Sequence, residues 1–71
     1  MKASELREMS RERLLTELEN AYQELFNLRF RLATRQLTDT NALKRARRDI
    51  ARIRTVLRKQ ELAEEYAAYE G

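Results

Sequence analysis

Apolar residues recur at spacings of 4, 3, 4, 3 and 4 from Leu14 through Leu18, Ala21, Leu25 and Leu28 to Leu32. That alternation is the seam of an α-helix packed along another helix. A second run, Leu43, Ala46, Ile50, Ile53 and Leu57, repeats at 3, 4, 3 and 4. The 71-residue chain contains no proline, its one glycine is the last residue, and 38% of its residues are charged, with Arg, Glu, Leu and Ala prominent. Such a composition favours long helices and disfavours strands. Two seams of similar length separated by a short break predict an all-α fold: an antiparallel two-helix hairpin of long, coiled-coil-like helices, preceded by a short N-terminal helical turn.

Local signals set the expected boundaries. Ser4 to Met9 is long enough for a turn or two, and Ser10 is a natural N-cap whose hydroxyl meets a free backbone N–H. Arg13 stands where a capping box would need Glu or Gln, so the reciprocal bond is not expected. The first long helix is predicted to run to about Arg35. Gln36 to Thr40 (QLTDT) lacks apolar periodicity and offers Thr38, Asp39 and Thr40 as caps, which reads as the connection. After Leu57 the seam falters, and RKQELAEEYAAYEG reads as a helical extension that frays toward Gly71. Charge suggests a division into a helical domain over 1–60 and an acidic extension over 61–71.

The residues that are missing narrow the function. There is no cysteine and no histidine, which removes disulfides, thiolate and imidazole metal sites, and the usual nucleophile and general-base partners. Glu64 and Glu65 point in different directions on a helix and form no acid/base pair. No catalytic residue, metal site or cofactor is expected, and no small-molecule substrate. No run of about 18 apolar residues exists, and Met1 to Ser10 lacks the apolar core of a signal peptide. A soluble, intracellular, non-enzymatic protein is the expectation. So short a chain buries a thin core, which suits a subunit that gains stability by docking on something larger.

The net charge of +3 conceals a strong asymmetry. Residues 1–40 hold seven basic and seven acidic side chains, residues 41–59 hold eight basic against Asp49 alone, and residues 60–71 hold four acidic and none basic. At about 100° per residue, the second helix carries its seam on one side. Lys44, Arg47, Arg48, Arg52, Arg54, Arg58 and Lys59 cover much of the rest. Ala51 and Thr55 fall near the middle of that arc, where small side chains let a phosphate backbone approach guanidinium groups that bind it bidentately. Thr55 adds a hydroxyl. Arg29, Arg31 and Arg35 extend the positive region toward the connection. Arginine is also a good helix former, and a balanced charged face merely keeps a helix solvated. This face is unbalanced, and like charges so dense call for a polyanion, with nucleic acid the first candidate and an anionic membrane the second. The membrane reading is poor because the apolar seam is already used between the helices.

Tyr22, Phe26 and Phe30 form a separate stripe at i, i+4 and i+8. Aromatic residues at that spacing more often pack, in the core of the hairpin or against a protein neighbour, than stack on bases. A helical adaptor that binds a partner protein through this stripe, or through a longer coiled coil, is therefore the competing reading.

The segments RRDIARIRTVL (Arg47 to Leu57) and NLRFRLATRQL (Asn27 to Leu37), with the opening MKASELREMS, resemble the bacterial large-subunit ribosomal protein L-twenty-nine family over residues 1 to about 60. The family's RR-x-x-AR-x-x-T pattern falls on Arg47, Arg48, Ala51, Arg52 and Thr55, the centre of the basic arc. Its NLRF-x-LAT stretch falls on Asn27 to Phe30 and Leu32 to Thr34, and Gln36 also matches. Two features depart from the pattern: Arg35 stands where members commonly carry glycine, and the acidic stretch from Glu61 passes the usual end. The resemblance implies a structural constituent of the large ribosomal subunit in the cytoplasm. It would bind large-subunit rRNA near the nascent-peptide exit, beside ribosomal protein L-twenty-three and close to where nascent-chain chaperones and targeting factors dock.

Overall fold

The computed structural model describes residues 2–36 and 38–70, and three helices account for most of them: α1 (Ala3–Glu8), α2 (Arg11–Ala33) and α3 (Asn41–Glu70). Leu37, within the expected connection, and Gly71, at the expected frayed end, lie outside the described residues.

α1 is a six-residue helix. Leu6 is its buried side chain, and the Met9 amide closes the turn by donating to the Leu6 carbonyl at 3.2 Å. Ser10 then caps α2 as its sequence position predicts: the Arg13 amide donates to Ser10 Oγ at 3.2 Å. Arg13 itself reaches Glu17, one turn on, at 3.3 Å.

α2 ends two residues earlier than expected. Arg35 has a φ of 63°, in the left-handed region, where an α-helix of L-residues cannot continue. The Gln36 amide donates to the Arg31 carbonyl at 2.8 Å and the Arg35 amide to the Leu32 carbonyl at 3.1 Å. That pair of bonds is a Schellman motif, with Thr34 as the C-cap and Arg35 at the position usually held by glycine. A Cβ at this φ costs free energy that glycine avoids. Arg35→Gly therefore raises stability by about 0.5 to 1 kcal/mol, after allowing for glycine's larger unfolded-state entropy. A thermal melt followed by circular dichroism measures it, and a lowered midpoint would contradict the assignment.

Beyond the turn, Asp39 does the capping among the three predicted candidates. Its Oδ1 accepts from the Asn41 amide at 2.9 Å, its carbonyl from the Ala42 amide at 3.3 Å, and its Oδ2 from Arg45 Nη2 at 3.3 Å. A carboxylate there also faces the positive end of the α3 dipole.

Two clusters make the core. Leu25 packs with Ala46 and Ile50, flanked by the half-buried Leu28 and Leu43; Leu14 packs with Ile53, Val56 and Leu57, together with Leu6 from α1. Late residues of α2 thus meet early residues of α3, and early meet late, so the two long helices run in opposite directions side by side. Every seam residue of the sequence except Leu32 lies in these two clusters or packs against them; Leu32 is half-buried near the end of α2. Val56, which the period of the seam omits, is buried because α1 lies over that side of α3. Gln60 Nε2 reinforces this junction by donating to the Met9 carbonyl at 3.1 Å.

The molecule is a rod of 55 × 17 × 15 Å. α3 has 30 residues against 23 in α2, and it passes Gln60 and Glu61 without a break. Arg11 at the start of α2 pairs with Glu61 at 3.3 Å and Glu64 at 3.7 Å. From Glu65 to Tyr69 every side chain of α3 is exposed.

Candidate nucleic-acid interface

Lys44, Arg47, Arg48, Arg52, Arg54, Thr55, Arg58 and Lys59 are all exposed on α3, and Arg29 is exposed on α2. The structure sorts them. Arg48, Arg52, Thr55 and Lys59 line a shallow groove between α1 and α3, with Ala51 and Val56 in its α3 wall and Ala3 and Arg7 contributed by α1. The groove holds about 230 Å³ and has small or aliphatic side chains between four cationic ones. A phosphate-bearing strand fits that arrangement, because apolar or short side chains permit close approach while guanidinium and ammonium groups meet the phosphate oxygens. On the other side of Thr55, Arg54 and Arg58 line a second hollow with Leu57 and Glu61. Arg29, Lys44 and Arg47 line neither.

Arg7 is the residue the sequence reading missed. Its signal was faint: Ala3, Leu6 and Met9 are spaced by three, which marks the inward side of a short turn, but a six-residue helix has too little period to orient its neighbours. Only the burial of Leu6 against Ile53, Val56 and Leu57 brings Arg7 beside α3.

The Thr55 hydroxyl already makes a bond within its own helix. Its Oγ1 donates to the Ala51 carbonyl at 2.8 Å, so the hydroxyl proton is committed to the helix and the oxygen remains an acceptor. A phosphate offers only acceptors. In this conformation Thr55 suits a ribose 2′-hydroxyl, which can donate to it.

Among the described residues, Lys44, Arg47, Arg48, Arg54, Arg58 and Lys59 form no ion pair with a protein carboxylate, whereas Arg45, Arg11 and Arg13 do. The paired arginines sit near the N-terminal ends of α2 and α3, and the cations just named share one side of α3; Arg7 on α1 and Arg29 and Arg31 on α2 likewise form no ion pair among the described residues.

The aromatic stripe is not part of the core, contrary to one of its two packing expectations. Tyr22, Phe26 and Phe30 are 43%, 74% and 59% exposed. The seam of α2 turns toward α3 and leaves this stripe beside it in solvent, where Leu15 extends it by two turns. No helix among the described residues is long and apolar enough to cross a membrane, and no group of acidic side chains among them could hold a metal ion.

The family model described as Ribosomal L29 protein matches residues 4–60, which include both core clusters and every residue lining the groove except Ala3. The chain belongs to this family. Its members are ribosomal proteins, structural components and not enzymes. The large ribosomal subunit protein uL29 of Corynebacterium urealyticum is 58% identical over 60 residues, covering 84% of this chain and 78% of that protein. The same protein of Streptomyces coelicolor is 57% identical over 61 residues, 86% of this chain and 82% of the relative. That of Caldicellulosiruptor saccharolyticus is 51% identical over 67 residues, 94% and 93% of the two chains. The last match extends into the acidic end of α3, past the residues covered by the family model.

Proposed function

We propose that this chain is a structural constituent of the large ribosomal subunit that binds large-subunit rRNA through the α1–α3 groove and the basic arc around it. The observation that carries the reading is the groove itself: Arg7, Arg48, Arg52 and Lys59 surround a floor of short side chains, on a face whose flanking cations form no ion pair among the described residues. Arg29, Lys44, Arg47, Arg54 and Arg58 lie outside the groove and supply longer-range attraction and further phosphate contacts. Thr55, as an acceptor, favours ribose over deoxyribose. Binding works by charge neutralisation and fit to the shape of folded RNA, and demands no bond-breaking chemistry.

The opposed packing of α2 and α3 is read as an antiparallel hairpin that serves as a rigid backing for this face. Residues 1–60 form the RNA-binding part, a division supported by the charge reversal after Lys59 and by the extent of the family model. The acidic stretch over 61–71 is then an extension of α3 with a separate role. A place near the nascent-peptide exit, beside ribosomal protein L-twenty-three and within reach of nascent-chain chaperones or targeting factors, is supported by the family resemblance. The exposed Tyr22, Phe26 and Phe30 favour a protein contact on α2, so the adaptor reading survives as a second surface on the same molecule.

Binding of the purified chain to a large-subunit rRNA fragment across a salt series tests the proposal. If each of the four groove cations neutralises one phosphate, log K falls with log salt at a slope of about −3 to −4, and more steeply as the flanking residues join. A flat dependence would reject the basic arc as the RNA face and leave the aromatic stripe as the principal binding surface.

A further inference from the structure

α3 continues beyond the groove, and its exposed side chains change character there. Leu62, Tyr66 and Tyr69 are 51%, 71% and 93% exposed and border one hollow together with Glu65. At 100° per residue, these three fall in the same stripe of α3 as Ala51 and Thr55, within an arc of about 60°. A single helix face therefore carries cations around short side chains in its first half and tyrosines beside a carboxylate in its second.

An RNA strand seated in the groove cannot continue along that stripe on favourable terms. Residues 60–71 hold four glutamates and no basic residue. Glu61 and Glu64 are turned toward Arg11 on α2, which leaves Glu65 beside the tyrosines with no cation among the described residues. Phosphates approaching here meet like charge, as would an anionic lipid surface. A cationic partner meets opposite charge, and the exposed phenol rings offer faces to lysine and arginine. Leu62 and the ring edges supply the apolar contact that tyrosine-rich interfaces use.

We infer that the Leu62, Tyr66 and Tyr69 face of α3 docks a Lys- and Arg-bearing segment of a neighbouring protein that is itself bound to RNA. The inference rests on the proposed ribosomal setting, where a protein held on adjacent RNA presents a basic surface. The charge reversal along α3 assigns the two halves of one helix face to two kinds of partner. Arg-rich segments are kept off the first half by its own cations and RNA off the second by its carboxylates, so the order of charge sets the register of the assembly.

The test is site-specific photocrosslinking in assembled large subunits carrying Tyr66→p-benzoylphenylalanine, with Arg54→p-benzoylphenylalanine in parallel. Irradiation at position 66 is expected to yield a protein adduct whose crosslinked peptide has net positive charge. A companion Glu65→Lys substitution, which puts a like charge against the partner, is expected to reduce that adduct about fivefold. An rRNA adduct at position 66, an adduct with a neutral or acidic segment, no adduct, or indifference to Glu65→Lys would overturn the inference. Position 54, exposed on the basic arc beside the groove, reports on the RNA reading independently: absence of an rRNA adduct there would reject the arc as the RNA face, whatever position 66 shows.

Discussion

Replacing Ile53 with alanine is expected to lower stability by about 2 to 5 kcal/mol, because the removed atoms leave a cavity that rigid helices fill only in part. Ile53 is fully buried where three helices meet, with Leu6 of α1, Leu14 of α2 and Val56 and Leu57 of α3 around it. A chain of this length has a total stability of roughly 4 to 10 kcal/mol. The loss is thus a large share of the whole, and the melting midpoint falls by more than about 10 °C. The matched control is Phe26→Ala. The larger side chain is removed, but at 74% exposure it shields little apolar surface, and the expected change is within about 0.5 kcal/mol. Melting curves of both variants by circular dichroism decide the matter. Equal shifts would mean that Phe26 is buried in solution and that the division between core and exposed stripe is wrong.

The second large effect belongs to the RNA face. Arg48→Ala combined with Arg52→Ala is expected to weaken binding to a large-subunit rRNA fragment about 100-fold, taking about 1.5 kcal/mol for each charge-assisted contact. The salt slope should become shallower by about two, one for each phosphate no longer neutralised. Both residues are exposed, so the helices should remain intact, and an unchanged circular dichroism spectrum distinguishes a lost contact from a lost fold. Unaltered affinity and slope would remove the groove from the interface. Reduced affinity with an unaltered slope would point instead to a contact that is not with phosphate.

Much of this molecule is legible from one-dimensional pattern because helices are local. The seam from Leu14 to Leu32 and that from Leu43 to Leu57 follow from spacing alone. The Ser10 cap follows from residue type, and so does the distribution of charge that directs attention to α3. α2 stops two residues short of Arg35 for an equally local reason. Arg35 is a good helix former, and nothing in its own propensity announces a left-handed backbone; glycine there would have done so. The aromatic stripe was ambiguous since i, i+4 spacing shows that three rings share a face without showing whether another helix covers it.

Sequence by itself determined the helical class, the two seams and the concentration of positive charge after Asn41, all set by neighbours within a turn or two. Tertiary structure decided what lay between elements. It placed Leu6 on Ile53 and Val56, and so brought Arg7 and Ala3 across from Arg48, Arg52 and Lys59 to make a groove from a convex helix face. It also left Phe26 and Tyr69 in water. Those outcomes depend on which surface of one helix is occupied by another, and six residues of α1 carry too little periodicity to declare that contact before the chain has folded.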